Sequence, residues 1–388
     1  VTTPTGTISM ADVNLELGLS AAATISLNDA NVRLLAGVTF GTTISMNNLR
    51  GKTWKAKYVT TGSDAVNRIT AWPWTGSAFG TKYTDPATLP TSITMQPAAN
   101  STSTVIAYAN TTSALNRIIA YPWTSAGFGT KFANPSPAPA GGAYGLAFSP
   151  NDASIIAGNI TTSPYIRGYA WSNSTGFGSA YADPATLPTN SVYNISFKDN
   201  SVVAISMSSS PSIQVYNWSG SGFGSKFSDP ATNPGGSVGY DAEFNTNYSG
   251  VTVVASARGN SPYIAVWPWS GGFGTVFSNP ATLPPLGGRA VAFSYGSDVL
   301  YLSTSGSPYI NAYAWSNSTG FGSKYAAPVT LATGASEGVS VAQSDRYVAI
   351  TSATTPGILV YEWNGVWGAK VSNPATLPGL PCNRLTFF

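Results

Sequence analysis

Ile166-Arg167-Gly168-Tyr169-Ala170-Trp171 is followed, after a short polar turn, by Phe177-Gly178 and then by Asp183-Pro184-Ala185-Thr186-Leu187-Pro188. The first of these patterns, Ile-x-x-Tyr/Trp-x-Trp, occurs seven times, ending at Trp74, Trp123, Trp171, Trp218, Trp269, Trp315 and Trp363, at intervals of 46 to 51 residues. Each copy is followed by an aromatic-Gly pair, from Phe79-Gly80 to Trp367-Gly368, and most then reach a Pro-rich turn. Within the third copy the alternation of apolar residues between turn signals predicts four short strands, over residues 145–148, 154–157, 166–171 and 179–182. Successive residues of a strand point to opposite faces, so Ile166 and Gly168 share one face and Tyr169 and Trp171 the other. Both faces are apolar, as expected of a sheet held between two like neighbours.

A four-stranded sheet repeated radially at a period of about 40–50 residues is a β-propeller. The phase of the repeat sets the blade number. The chain enters its first unit at a second strand, near residues 55–60, and ends on an unpartnered first strand, Arg384-Leu385-Thr386-Phe387-Phe388. That last segment should complete the first blade and close a ring of seven. The expected fold is therefore an all-β, seven-bladed β-propeller over residues 52–388, preceded by a small helical segment over residues 1–51.

The bulk composition fits a repeating body and excludes several chemistries. A single core rarely grows past about 300 residues, whereas this chain has 388. Charged residues are 9% and the net charge is +3 without charge runs, so no electrostatic footprint for nucleic acid or an anionic membrane is present. There is no histidine and only one cysteine, Cys382, which rules out an intrachain disulfide, histidine-based nucleophile triads and the common Cys/His zinc sets. No run of 18 apolar residues exists, and Val1–Met10 lacks the basic and apolar regions of a secretory signal, so neither membrane insertion nor secretion by its own signal is expected. No catalytic residue, cofactor site or metal site is assigned.

Lys82, Lys131, Lys226, Lys324 and Lys370 follow the aromatic-Gly turn, on the outermost strand of their blades. There they read as protection of an exposed edge. Asp85, Asp183 and Asp229 share one repeat position with Asn134, Asn279 and Asn373, where a side chain that bonds its own backbone starts a turn. Asp241 and Glu243 occur in one copy only, two apart and so on one face of a strand. Their nearest reading is a solvated or arginine-paired role. Directly before the Ile of each repeat stand Arg68, Arg117, Tyr165, Ser212, Tyr263, Tyr309 and Gly357. Arg68, Arg117, Tyr165, Tyr263 and Tyr309 form a candidate ligand rim, since such side chains stack on sugars and bond their hydroxyls; the alternative is that the tyrosines cover prolines of the adjacent turns.

Residues 1–51 carry a smaller repeat: Ile8-Ser9-Met10-Ala11-Asp12, Ile25-Ser26-Leu27-Asn28-Asp29 and Ile44-Ser45-Met46-Asn47-Asn48. Each Ser can cap a short helix, Asp12 and Asp29 stand where a carboxylate complements the first amides, and the preceding Ile can staple onto Val13, Ala30 or Leu49. Gly18, Gly37 and Gly51 supply the stops. Helices this short must pack on one another or on something larger. Val13, Leu15, Leu17, Val32, Leu34, Leu35 and Leu49 are the candidate attachment residues.

This segment, above all Ile25 to Arg33 and Gly41 to Gly51, resembles a module at the ends of structural proteins of tailed bacteriophages. The seven repeats resemble WD40-like propellers in strand order, without their Gly-His and Trp-Asp signatures. Together the resemblance implies a non-enzymatic virion component, extracellular after release: a decoration, fibre or tail element that joins other virion proteins through residues 1–51. It leaves room for several copies in the particle and for a host-surface glycan on the propeller. The rival readings are a secreted carbohydrate-binding lectin or adhesin, and a polysaccharide-degrading enzyme working through Asp241 and Glu243. Strand direction adds that the N-terminal segment feeds in on the rim opposite the Tyr-bearing turns.

Overall fold

The computed structural model describes residues 3–16, 21–29, 32, 35–36, 43–50, 57–65, 68–111, 116–234, 236, 238–246, 251–342 and 346–388; the side chains of Leu15 and Thr246 are not described. Seven antiparallel sheets follow one another around an axis. Their innermost strands, in order from blade one, are Cys382–Phe387, Thr94–Ala99, Ala143–Phe148, Val192–Asp199, Gly239–Thr246, Gly288–Phe293 and Val339–Val341. Each packs beside the next, and Val339–Val341 packs beside Cys382–Phe387, so the circle is complete.

Closure uses the end of the chain. Cys382–Phe387 pairs antiparallel with Tyr58–Ser63, with Phe387 opposite Val59 and Thr386 opposite Thr60, and Tyr58–Ser63 pairs on its other side with Ile69–Pro73. Five blades have four strands. In blades one and five the fourth strand shrinks to a single bridge, Trp74 to Phe79 and Trp269 to Phe273. In the third blade the fourth strand is Gly176–Ala180 and begins three residues before its expected start, because Gly176 and Phe177 already pair with Ser172 and Trp171.

The repeating Trp explains why the sheets stack. Trp171 meets Phe177 of its own blade, Phe132 of the preceding blade and Phe148 of its inner strand, at centroid distances of 4.9, 5.3 and 5.2 Å and steep angles. All seven such tryptophans sit in comparable boxes; that of Trp363 is built from Trp367, Tyr325 and Tyr301. Edge-to-face pairs add about 0.5–1.5 kcal/mol each beyond burial, so each box staples two blades. Ile166 packs toward blade four, with Val192 and Trp218, while Tyr169 and Trp171 face blade two, with Val105 and Ala107. The two-residue period predicts this division.

A second device fixes each blade to the connection before it. The aromatic residue three after the repeat Ile donates its O–H or N–H to a turn carbonyl: Trp72 to Thr376, Tyr121 to Thr88, Tyr169 to Pro137, Trp267 to Thr232, Tyr313 to Thr282 and Tyr361 to Thr330. In blade four Tyr216 turns instead to Gln214 Oε1, 2.9 Å away.

In the N-terminal segment the acidic or amide side chain three residues after each serine accepts from the serine's own amide. Ser9 N–H donates to Asp12 at 2.8 Å, Ser26 N–H to Asp29 at 2.7 Å and Ser45 N–H to Asn48 at 2.8 Å. The first cap opens the helix Met10–Glu16 and the third the 3-10 turn Met46–Leu49. Val13, Val32, Leu35 and Leu49 are 0–6% exposed and form a small core with Ile8, Ile25 and Ile44, against which Tyr295 of blade six packs. Of the candidate attachment residues these four hold the module together internally. Leu17 and Leu34, the side chain of Leu15, and the stops Gly18, Gly37 and Gly51 lie outside the described residues.

Candidate functional site

A repeated irregularity brings side chains to the axis. The inner strands slip register near their starts, between Val192 and Asn194, between Gly239 and Asp241, and between Gly288 and Ala290. A bulge leaves one residue outside the ladder and re-aims it. The residues so released are Tyr193, Tyr240 and Arg289; Tyr144 and Glu337 hold the same repeat position in blades three and seven. Tyr144 and Tyr193 lie 5.0 Å apart, and Tyr193 stacks on Tyr240 at 5.7 Å with 12° between planes. The Arg289 guanidinium lies 4.1 Å over the Tyr240 ring and its Nε is 3.5 Å from Glu337. Five consecutive blades thus build one column of stacked and paired side chains around the channel mouth, on the same rim as the Tyr-bearing turns. Burial, reinforced by the charge of Glu337, pushes the Tyr144 hydroxyl up to about 12.

One residue further along the strands an ion pair crosses the axis. Arg384 Nη1, on the closing strand, is 3.2 Å from Asp241 Oδ2 of blade five. Its Nη2 donates to the carbonyls of Tyr240 and Arg289 at 2.8 and 3.3 Å. Asp241 also accepts from the amides of Val291 and Ala242. Burial raises its pKa, while Arg384 and the two amides pull it back. The arginine-paired reading of Asp241 is therefore the one observed.

Glu243 lies on the same face, deep in the ring yet partly open to the channel. Burial first and the charge of Asp241 second push its carboxyl up to about 8, against a hydrogen bond from Ser196. Both acids line an axial cavity of about 360 Å³, together with Arg384, Asn194, Gln96, Ser340 and Tyr295. Because the folded pKa stands above the ordinary 4.5, folding is favoured at low pH and loses stability as pH climbs from about 4.5 to about 8. Glu243→Gln should remove that slope. The variant is expected to exceed the parent by ~1–3 kcal/mol in urea unfolding at pH 9, less than the full shift because channel water screens the charge, and to show no such gain at pH 4. Parallel pH profiles for the two proteins would refute this.

The outer ring read from sequence takes a different form. Tyr165, Tyr263 and Tyr309 are half-buried, with backbone φ of 61°, 69° and 66°, and Tyr165 and Tyr309 lean on the blade cores. Arg68 donates to the Asp64 carbonyl at 3.1 Å and Arg117 to that of Pro139, so both are engaged with local turns. The axial cavity is lined by none of these five. Sequence reasoning missed Tyr144, Tyr193 and Tyr240, although they stand two residues before the apolar Leu146, Ile195 and Ala242. That shared position was the available signal.

The outer edges carry the lysines as expected, with one correction. Lys131, Lys226 and Lys370 each donate to the next residue's carbonyl and, at 2.6 Å, to Asn134, Asp229 and Asn373; Lys82 does the same with Asp85. The turn-starting Asp and Asn therefore accept from a lysine three residues earlier rather than from their own backbone, since the lysine reaches them across the turn. Where Ala180 replaces the lysine, Arg167 takes Asp183 at 3.1 Å. Where Ala327 replaces the acceptor, Lys324 lies 5.9 Å over the Tyr313 ring.

Among the described residues no group of three or more His, Cys, Asp or Glu could hold a metal, and no helix is long and apolar enough to cross a membrane. No family model and no curated protein matches the chain. Solved structures do. A periplasmic gluconolactonase of Pseudomonas aeruginosa is similar with a TM-score of 0.64 at 11% identity, over 84% of this chain and 98% of that one. A functionally unknown protein from Desulfotomaculum acetoxidans gives 0.62 at 10%, over 85% and 99%, and a protein from Lactobacillus plantarum 0.62 at 15%, over 86% and 99%. At such identities the likeness shows the fold alone: a seven-bladed β-propeller closed by its C-terminal strand.

Proposed function

We propose that the protein is a non-enzymatic structural component of a tailed-phage particle, a decoration, fibre or tail element joined to other virion proteins by residues 1–51. The propeller is its displayed body and is extracellular once particles are released. One observation carries this reading. The capped N-terminal module, whose sequence resembles phage end modules, has its own small core and meets the ring at Tyr295, on the rim opposite the tyrosine column. On this reading one rim serves attachment and the other faces outward. The non-enzymatic part draws on Asp241, whose oxygens are committed to Arg384 and two amides, which leaves Glu243 without a second free carboxylate beside it.

Deleting residues 1–51, or disrupting the module core with Leu49→Asp, should remove the protein from gradient-purified particles while circular dichroism keeps the β-sheet signal. Unchanged incorporation of both variants would overturn the assignment. A secreted lectin or adhesin is the second reading. The polar axial cavity favours it, and it predicts a soluble protein found in no particle.

A further inference from the structure

We propose that the axial cavity is a binding site for a neutral, hydroxyl-rich ligand of monosaccharide size. The inference concerns the ring itself and does not depend on how the protein is carried. The cavity, about 360 Å³, falls within the ~300–1,000 Å³ typical of small-molecule sites. It runs from the Arg384–Asp241 pair to Tyr295, which packs against the N-terminal core.

The walls hold polar groups with nothing to bond. Asn194 is 7% exposed, lines the cavity, and has an amide oxygen with no hydrogen-bond partner. Gln96, on blade two, lines the same space and its Oε1 is likewise unpartnered. A buried acceptor left unpaired costs about 1–3 kcal/mol, which a ligand O–H would offset once the amide turns its oxygen into the cavity.

Charge decides the class of ligand. Asp241 already neutralises Arg384, so an anion finds no free cation and meets the oxygens of Asn194, Gln96 and Glu243. A metal cation would suit those oxygens but sits beside the Arg384 guanidinium. A hydroxyl both donates and accepts. It satisfies the two amide oxygens and also pairs with the Glu243 carboxyl, which burial keeps largely protonated at neutral pH and therefore able to donate. Several hydroxyls on one compact, uncharged frame match this wall; a saccharide ring has that chemistry.

The test is calorimetric titration of the full chain with glucose, galactose, mannose and N-acetylglucosamine, with calcium chloride and sodium acetate as charged probes. At least one sugar should bind saturably, and Asn194→Leu and Gln96→Leu should each weaken it about tenfold or more, while Lys226→Ala leaves it unchanged. Gln96 is the less buried of the two, so Gln96→Leu gives the same reading if Asn194→Leu fails to fold. Absence of saturable sugar binding overturns the proposal, as does sugar binding that survives the leucine variants or is lost only on replacing Tyr165, Tyr263 and Tyr309. Binding of calcium or acetate in place of sugar also overturns it. None of these outcomes bears on particle incorporation, which is measured separately.

Discussion

Replacing Arg384 with methionine should lower the unfolding free energy by about 3–5 kcal/mol, the usual cost of stripping one partner from a buried ion pair. The variant keeps the stem and loses the guanidinium. Asp241 is then left with two amide donors inside the ring, and the carbonyls of Tyr240 and Arg289 lose the donor they share. The orphaned carboxyl should take up a proton more readily than in the parent. Its pKa rises further above the parent's already raised one, so the deficit should be largest at alkaline pH, where the carboxyl is charged in both proteins, and shrink as pH falls through the variant's pKa toward the parent's. Adding Asp241→Asn removes the stranded charge and keeps an acceptor oxygen for one of the Val291 and Ala242 amides, which bond different oxygens of Asp241, so it should recover part of the loss. Urea titrations followed by tryptophan fluorescence, run as a double-mutant cycle, measure both effects. A single-variant cost below ~1 kcal/mol would mean that the pair contributes no more than an exposed salt bridge does.

Truncating the chain before Cys382 should have a larger effect still, with loss of cooperative folding. The strand Cys382–Phe387 supplies Leu385 and Phe387 to the core shared with Val59, Trp74 and Val360, and Phe388 lies 5.3 Å from Tyr58 and 5.4 Å from Trp123. Three large apolar side chains at about 1.5–3 kcal/mol each rival the ~5–15 kcal/mol by which a folded domain exceeds its unfolded state. Blade one would also expose the full edge of Tyr58–Ser63. Near-ultraviolet circular dichroism should show collapsed tryptophan packing, and a synthetic peptide of residues 380–388 should restore it by adding the missing strand. A truncated chain that melts like the parent would disprove the role given to closure.

What could be read from the sequence follows from what repeats. The boxed tryptophans and the serine caps recur at nearly regular spacing, and the phase of the tryptophan period carries the blade number and the closing strand. The channel does not repeat. Asp241 and Arg384 belong to different copies and meet only because blades one and five face each other across the axis, a relation that appears once the circle has a diameter. The sequence offered a solvated or arginine-paired role for Asp241 and Glu243 alike; that Asp241 takes the second, and that Arg384 is its partner, could not be read from it. The outer tyrosines attracted notice because they precede an invariant Ile, yet the bulges, which no composition signal marks, are what turn Tyr193, Tyr240 and Arg289 toward the centre.

The hydroxyl and indole latches have a practical side. Six of the seven connections between blades are pinned through a turn carbonyl; among the described residues, the one between blades three and four is not, because Tyr216 bonds Gln214. Its Leu187 already faces solvent. A guest peptide spliced beside Thr186 would sever no latch, making this loop the natural graft point for anyone who wants the ring to carry foreign cargo.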